Sequence, residues 1–313
     1  MSSQHHYFPE INARTFNPMN DVAFKFIFGK EERKDITIAF LNAVLSPSLK
    51  HEIKDIVFQQ TELAPENIED KLTRLDVACT LDSGEQVDVE VQVMNYKNMQ
   101  RRTLFYWAQM YLMSLKKGQD YRELKPAITI NILAFELLPQ DNPVSMYGIY
   151  NIETGDRLND DLAIYFLEIP KFAKGPKKSV HEMTRMERWL AYFANQLSDQ
   201  EREELAMSEA AIKEAMQAAQ KFMNDTAERR SYINRQMAIM DYNSGIRSAR
   251  EEGEKRGEKR GEKRGKCLVL RDLVTDGILP LSAAAQRAGM TEEAFRRETG
   301  LCARNARKRE LSA

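Results

Sequence analysis

Apolar positions along the chain change period several times, and each change marks an element. Asn17-Pro18-Met19-Asn20-Asp21 carries the residues of a helix entry, and Val22, Phe24, Phe26, Ile27 and Phe28 follow as far as the stop signal Gly29. Residues 36–45 have helix length and are closed by Pro47, so the two stretches predict a helical hairpin. Residues 52–63, 72–81 and 86–94 are short, rich in β-branched residues and alternating, which predicts three strands. In 86–94 the apolar face is Val87, Val89, Val91 and Val93, leaving Asp88, Glu90 and Gln92 opposite. In 72–81 the core side is Leu75, Val77, Cys79 and Leu81, leaving Arg74, Asp76, Ala78 and Thr80. A three-residue loop at Asp82-Ser83-Gly84, with Gly84 supplying φ > 0, pairs Leu81 with Glu85 and sets Asp76 opposite Glu90. A two-residue loop would oppose Asp76 to Val91 and mix the faces. The pattern therefore selects the register that brings two carboxylates together.

A helix over about 98–117 follows, with Leu104, Trp107, Ala108, Tyr111, Leu112 and Leu115 as its expected apolar stripe and Lys116-Lys117-Gly118 as a basic stop. Residues 127–135 are nearly all apolar, the mark of a strand buried on both faces. Helix, three strands, helix, strand predicts an α/β fold: a mixed central sheet flanked by helices, its last strand joined by a right-handed crossover. Further strands are expected over 145–170 around the turn Glu153-Thr154-Gly155-Asp156. Beyond Pro176 the composition shifts, and 182–250 predicts two or three helices. Glu254-Lys255-Arg256-Gly257 recurs at 258–261 and 262–265. A glycine every fourth residue costs about 1 kcal/mol each against alanine, which predicts a weak helix or a flexible linker. Residues 281–297 then give helix, glycine turn, Thr291 cap and helix, a helix-turn-helix outline. The expected division is a core domain at 15–175, a helical extension at 176–250, a charged linker at 251–266 and a small tail at 267–313.

With 313 residues, 42% hydrophobic and 9% aromatic, the chain has room for a large core or two modest ones. Its 46 Lys and Arg nearly cancel 47 Asp and Glu, so affinity for nucleic acid would have to come from local basic patches. Cys79, Cys267 and Cys302 are far apart, which supports neither a disulfide framework nor a zinc site and fits a reducing cytoplasm. The start has no basic and apolar leader pattern, and no apolar run approaches the ~20 residues of a membrane span, so no membrane partner is expected. His5, His6, His51 and His181 show no ligand spacing, and no Walker loop, Rossmann glycine pattern or nucleophile elbow is present.

Two carboxylates facing each other repel unless a cation sits between them, and hard oxygens suit Mg²⁺. Such an ion activates water near neutral pH and neutralises charge on a phosphodiester. The backbone carbonyl of Val91 is the candidate third ligand. The alternative is a solvated, acidic sheet surface.

Asp76, thirteen residues, then Glu90-Val91-Gln92, in a helix, three strands, helix, strand order, resembles the PD-(D/E)XK nuclease superfamily with its restriction-endonuclease-like αβββαβ core. The closer likeness is to its recombination-promoting nuclease and transposase-like branch. It is carried by Asn17-Pro18 leading into Asp21-Val22-Ala23-Phe24-Lys25, Phe28-Gly29, Phe40-Leu41-Asn42-Ala43-Val44-Leu45, Arg74-Leu75-Asp76-Val77 and Glu90-Val91-Gln92. Arg101-Arg102-Thr103-Leu104-Phe105-Tyr106-Trp107, Gly118-Gln119-Asp120-Tyr121 and Leu124-Lys125-Pro126-Ala127-Ile128 extend it, over about residues 15–170.

The resemblance implies that Asp76 and Glu90 ligate Mg²⁺, with Mn²⁺ or Ca²⁺ as alternatives, and that Gln92 takes the place of the superfamily's usual lysine. Glutamine orients water but carries no charge, so Lys97, Arg101 or Arg102 would lean over the site; the alternative is helix-surface charge. Asp21 and Lys25, one helical turn apart, are placed beside the site, with Asp21 binding metal through water; the alternative is an ion pair between the two. Tyr106 would touch a phosphate or base, or else belong to the core. Arg296, Arg297, Arg304, Arg307, Lys308 and Arg309 would bind phosphates, or merely solubilise the tail. The implied function is a Mg²⁺-dependent DNA endonuclease that hydrolyses phosphodiester bonds in recombination or mobile-element movement. A homodimer is compatible with it, since cutting both strands needs two sites or two visits. The rivals are an inactive nuclease fold that binds DNA or protein, and a helical assembly protein built on 182–313.

Overall fold

A computed structural model of the chain describes residues 11–49, 51–60, 62–63 and 73–301. Helix α1 (Asp21–Phe28) starts where the Asn20 side chain accepts the Val22 and Ala23 N–H groups, and it stops at Gly29. Helix α2 (Lys34–Leu45) completes the expected helical pair. The chain continues through β1 (Ile56–Phe58), a separate ribbon of β2 (Glu62–Leu63) and β3 (Thr73–Arg74), then β4 (Val77–Leu81) and β5 (Gln86–Gln92). The expected strands 52–63 and 72–81 are thus each broken, and in the second of them main-sheet pairing starts only at Val77.

After helix α3 (Met99–Met113) come β6 (Ala127–Leu133), β7 (Val144–Tyr147) and β8 (Leu162–Glu168). The six strands of the main sheet run in the order β1-β4-β5-β6-β8-β7. Pairs β5–β6 and β6–β8 are parallel and the rest antiparallel, the mixed sheet expected of an α/β chain. Helices α4 (Ile169–Lys174), α5 (Arg185–Ala194), α6 (Asp199–Ser208) and α7 (Ala210–Asn224) follow. Helix α8 (Thr226–Thr275) leads to α9 (Leu281–Ala288) and α10 (Glu292–Thr299).

One sheet face, including Val77, Val87, Val89, Val91, Ile128, Ile130 and Ile132, shares a core with Phe24 and Phe28 of α1, Phe40 of α2, Trp189 of α5 and Phe222 of α7. Burying these large side chains is the main favourable term in folding, at about 25 cal/mol per Å² of apolar surface. The hairpin β4–β5 pairs Val77 with Val89, Ala78 with Asp88, Cys79 with Val87 and Thr80 with Gln86. The Leu81 N–H donates to the Glu85 carbonyl at 2.9 Å, and Gly84 sits at φ 101°. This is the register expected from the three-residue loop. Because φ > 0 strains any residue with a Cβ, Gly84→Ala is expected to cost about 1–3 kcal/mol, read as a lower chemical-denaturation midpoint. An unchanged midpoint would show that the turn does not pin the register.

Helix α3 lies against the sheet with part of the expected stripe, Trp107 and Tyr111, packed there, but its leucines face outward. Its buried residues are Met99, Thr103 and Met110, whereas Leu104 is 50% and Leu112 72% exposed. The sheet beneath carries polar groups, and these choose the face. Thr103 Oγ1 meets Thr129 Oγ1 at 3.1 Å and accepts from Asn131 Nδ2 at 3.0 Å, while Trp107 Nε1 donates to the Ala127 carbonyl at 3.0 Å. A buried polar strip left unpaired would cost more than burying two leucines would gain.

The chain forms two compact units, Met1–Ile239 and Met240–Ala313. The glycine repeat at 254–265 is helical, part of the 50-residue α8, so of the two expected states it takes the helix. Arg250–Glu254 and Arg256–Glu252 pairs, each spanning one turn, offset part of the glycine cost. Within the second unit Cys267 and Leu270 of α8 pack with Ala284, Ala285 and Phe295. Gly289 (φ 68°) closes α9, and Thr291 caps α10 by accepting the Ala294 N–H, as the outline anticipated. His5, His6, Cys302, Arg304, Arg307, Lys308 and Arg309 lie outside the described residues. Among those described, no helix is long and apolar enough to cross a membrane.

Candidate functional site

The β4–β5 backbone ladder ends at Val77 and Val89, and side chains continue it from there. The Asp76 N–H donates to Glu90 Oε1 at 3.0 Å, and the Val91 N–H donates to Asp76 Oδ2 at 3.0 Å. Each carboxylate is thereby held by the other's strand, side by side as the register required. Glu90 Oε2 also accepts from Gln92 Nε2 at 3.1 Å and from Arg102 Nη2 at 2.6 Å. Arg102 Nη1 donates to Gln92 Oε1 at 3.1 Å, and its guanidinium lies 5.1 Å from the Tyr106 ring centre. Tyr106 therefore backs an arginine of the site.

Helix α1 brings Lys25 Nζ within 3.2 Å of Asp76 Oδ1, while Asp21 Oδ1 accepts from Arg235 Nε of α8 at 2.9 Å. The sequence left open a pair between Asp21 and Lys25; each instead turns to a partner from a distant part of the chain. Of the three cations weighed on the approach to α3, Arg102 reaches the carboxylates. Arg101 and Lys97 are exposed, and Lys97 has φ 62°. Met19, Asp21, Lys25, Asp76, Gln92, Arg102 and Arg235 line one cleft of about 710 Å³.

Burial drives the charge state of this cluster. Asp88, two residues before Glu90 on the same strand face, is fully buried, and both its carboxylate oxygens lack a hydrogen-bond partner among the described residues. Desolvation, then the charges of Glu90 and Asp76, hold the Asp88 carboxyl well above the usual carboxylate range. Glu90 is pushed up to about 8 by burial and then by Asp76, with Arg102 opposing. Asp76 is raised by burial, against the pull of Lys25.

The sequence model of one protein family, described as PD-(D/E)XK nuclease family transposase, matches residues 18–249. The chain belongs to that family. No curated protein and no solved structure matches the chain. The PD-(D/E)XK match runs past the 15–170 stretch of the sequence resemblance and takes in the first half of α8, where Arg235 lies.

Two residues of this cluster, Asp88 and Arg235, carry no distinguishing signal in the sequence. Asp88 was on the acidic face, but alternation could not tell a buried carboxyl from a solvated one. Arg235 left no signal, because it meets Asp21 across 214 positions of chain. His51 and His181 stay away from the cleft, His51 bonding Ser83 at 2.7 Å.

Among the described residues no three His, Cys, Asp or Glu side chains gather as a metal-binding group. The donor set nevertheless suits a divalent cation of the hard type. Asp76 and Glu90 supply adjacent carboxylates, Val91 a backbone carbonyl between Glu90 and Gln92, and Asp88 leaves an unpartnered buried carboxyl two residues away on the same strand.

Proposed function

We propose that this PD-(D/E)XK transposase-family protein is a Mg²⁺-dependent DNA endonuclease acting in recombination or mobile-element movement. Asp76, Glu90 and the Val91 carbonyl hold the ion, with Mn²⁺ or Ca²⁺ as alternative occupants. The observation that carries this reading is the reciprocal bonding of Asp76 and Glu90, which keeps two carboxylates together despite their repulsion. When bound, the cation supplies a nucleophile from water near neutral pH and neutralises charge on the phosphodiester.

The chain's own residues do the rest. Gln92 orients water from the position where the superfamily carries lysine, its side chain set by Glu90 and Arg102. Lys25 and Arg102 supply the positive charge that glutamine lacks, one from each side of the carboxylate pair. Arg101 is a further phosphate contact of the core, and Arg296 and Arg297 of α10 bind phosphates within their own unit. The division into core, helical extension, charged linker and tail at 175, 250 and 266 is retained as a proposal, as is a homodimer for double-strand cutting.

A second reading, a nuclease fold that binds DNA or protein without cutting, draws on the ion pairing of both carboxylates by Lys25 and Arg102. Supercoiled plasmid separates the two. Purified wild-type protein is expected to nick or linearise it in Mg²⁺ and to leave it intact in chelator. Binding without cutting across several DNA forms would favour the second reading.

A further inference from the structure

Arg235 has no part in the scheme above. Arg235 comes from α8, beyond the αβββαβ core, yet it lines the same cleft as Lys25, Asp76, Gln92 and Arg102. Its helix turns Glu228, Tyr232, Arg235 and Ile239 to one side, spaced by four, three and four residues. Tyr232 and Ile239, which flank Arg235 on that side, are buried. Tyr232 stacks on Phe16 at 5.6 Å between ring centres, and its hydroxyl accepts the Asn17 N–H at 2.8 Å. These anchors hold the helix against the entry to α1, so the stem of Arg235 is fixed on both sides.

The guanidinium is then aimed by Asp21. Among the described contacts Asp21 engages Arg235 through Nε alone, at 2.9 Å, and the arginine side chain is 39% exposed. A pre-oriented guanidinium whose terminal nitrogens are left for a ligand matches a phosphodiester, which accepts two parallel N–H bonds. Asp21 is therefore committed to an arginine, and a water-mediated metal contact from it is not needed to explain its place.

We propose that Arg235 forms a phosphate subsite of the cleft, gripping a DNA backbone phosphate beside the one cut, with Asp21 as its positioning residue. This rests on the nuclease reading and adds α8 to the substrate-binding surface. A phosphate contact carries no sequence information, so the effect of losing it is the same on any duplex. Glu228, on the same side of the helix and lining the same cleft, opposes it by charge.

The test is fluorescence anisotropy of a short labelled duplex with the full chain in Ca²⁺ over a range of salt, together with plasmid cleavage in Mg²⁺. Arg235→Gln is expected to weaken duplex binding about 10-fold, to reduce the slope of log affinity against log salt by about 1, and to raise KM far more than it lowers kcat. Arg235→Lys should recover part of the affinity, and Glu228→Gln should tighten binding. Arg229→Ala, on the exposed side of the same helix, is the control. Asp21→Ala should weaken DNA binding while leaving the thermal shift caused by Mg²⁺ intact. If Arg235→Gln matches the wild type in affinity and salt slope while Asp76-dependent cleavage persists, the subsite is overturned and the nuclease reading stands. If the wild type neither binds nor cuts DNA, both fall. If Arg235→Gln melts early, Arg235→Lys and Glu228→Gln decide: no change in either overturns the subsite.

Discussion

Asp76→Ala protein is expected to leave supercoiled plasmid intact under conditions in which the wild type cuts it, a loss of at least about 10³-fold, equivalent to about 4 kcal/mol of transition-state stabilisation. The magnitude follows from the double duty of Asp76. Its carboxylate would hold the ion, and it also accepts the Val91 N–H that sets the end of β5 beside it. Alanine removes both, so loss of activity alone would not separate chemistry from local structure. Asp76→Asn does separate them. The amide oxygen still accepts from Val91, but the charge that faces Lys25 is gone. Because burial raises the Asp76 carboxyl above its usual range, an uncharged side chain there relieves a desolvation cost. Asp76→Asn should therefore melt no lower than the wild type and be as inactive as Asp76→Ala. Equal cleavage by wild type and Asp76→Asn would place the site elsewhere.

Metal-free protein is expected to lose stability steadily as pH rises from 5 to 8, and Mg²⁺ is expected to restore it most at the alkaline end. Glu90 rises from an ordinary value of 4.5 to about 8 in the folded chain. Between those values the native state holds a proton that the unfolded chain has released. The contribution of Glu90 is therefore largest below 4.5 and falls as pH climbs through the window, because ionised Glu90 must then be buried beside Asp76. Asp88 and Asp76, also raised, act in the same direction. A divalent cation reverses the trend, since it binds the ionised cluster and its affinity grows as protons leave. Glu90→Gln should flatten the pH dependence between 5 and 8 and lose most of the Mg²⁺ response. Thermal denaturation at several pH values, with Mg²⁺ and with chelator, reads both effects without any cleavage assay. A wild type whose midpoint ignores Mg²⁺ at pH 8 would remove Asp76 and Glu90 as ligands.

Local pattern carried far into this protein where the relevant physics was itself local. Alternation over 86–92 and the loop ending at Gly84 settled the hairpin register, because a slip by one residue would turn every valine of β5 out of the core. The same argument put Asp76 opposite Glu90. Element type was legible for α1, α2, β5 and β6, whose periodicity reflects the faces they bury. The pattern misjudged the leucines of α3, because counting apolar residues takes no account of the hydrogen bonds that Thr129, Asn131 and the Ala127 carbonyl demand from whatever packs on them. It also left the glycine repeat between helix and coil, where the intrinsic penalty and the support from packed ends of α8 act at different ranges.

The amino-acid sequence alone thus determined the sheet's acidic hairpin, its register and the family resemblance, since each depends on residues close in the chain or on the order of segments. Only the tertiary structure decided that Lys25, Arg102 and Arg235 are the cations that pair with the carboxylates of the cleft, that Asp21 serves Arg235, and that Asp88 is buried without a partner among the described residues. Charge pairing and desolvation are set by distance and solvent access after folding, and nothing in the spacing of residues along a chain encodes either one.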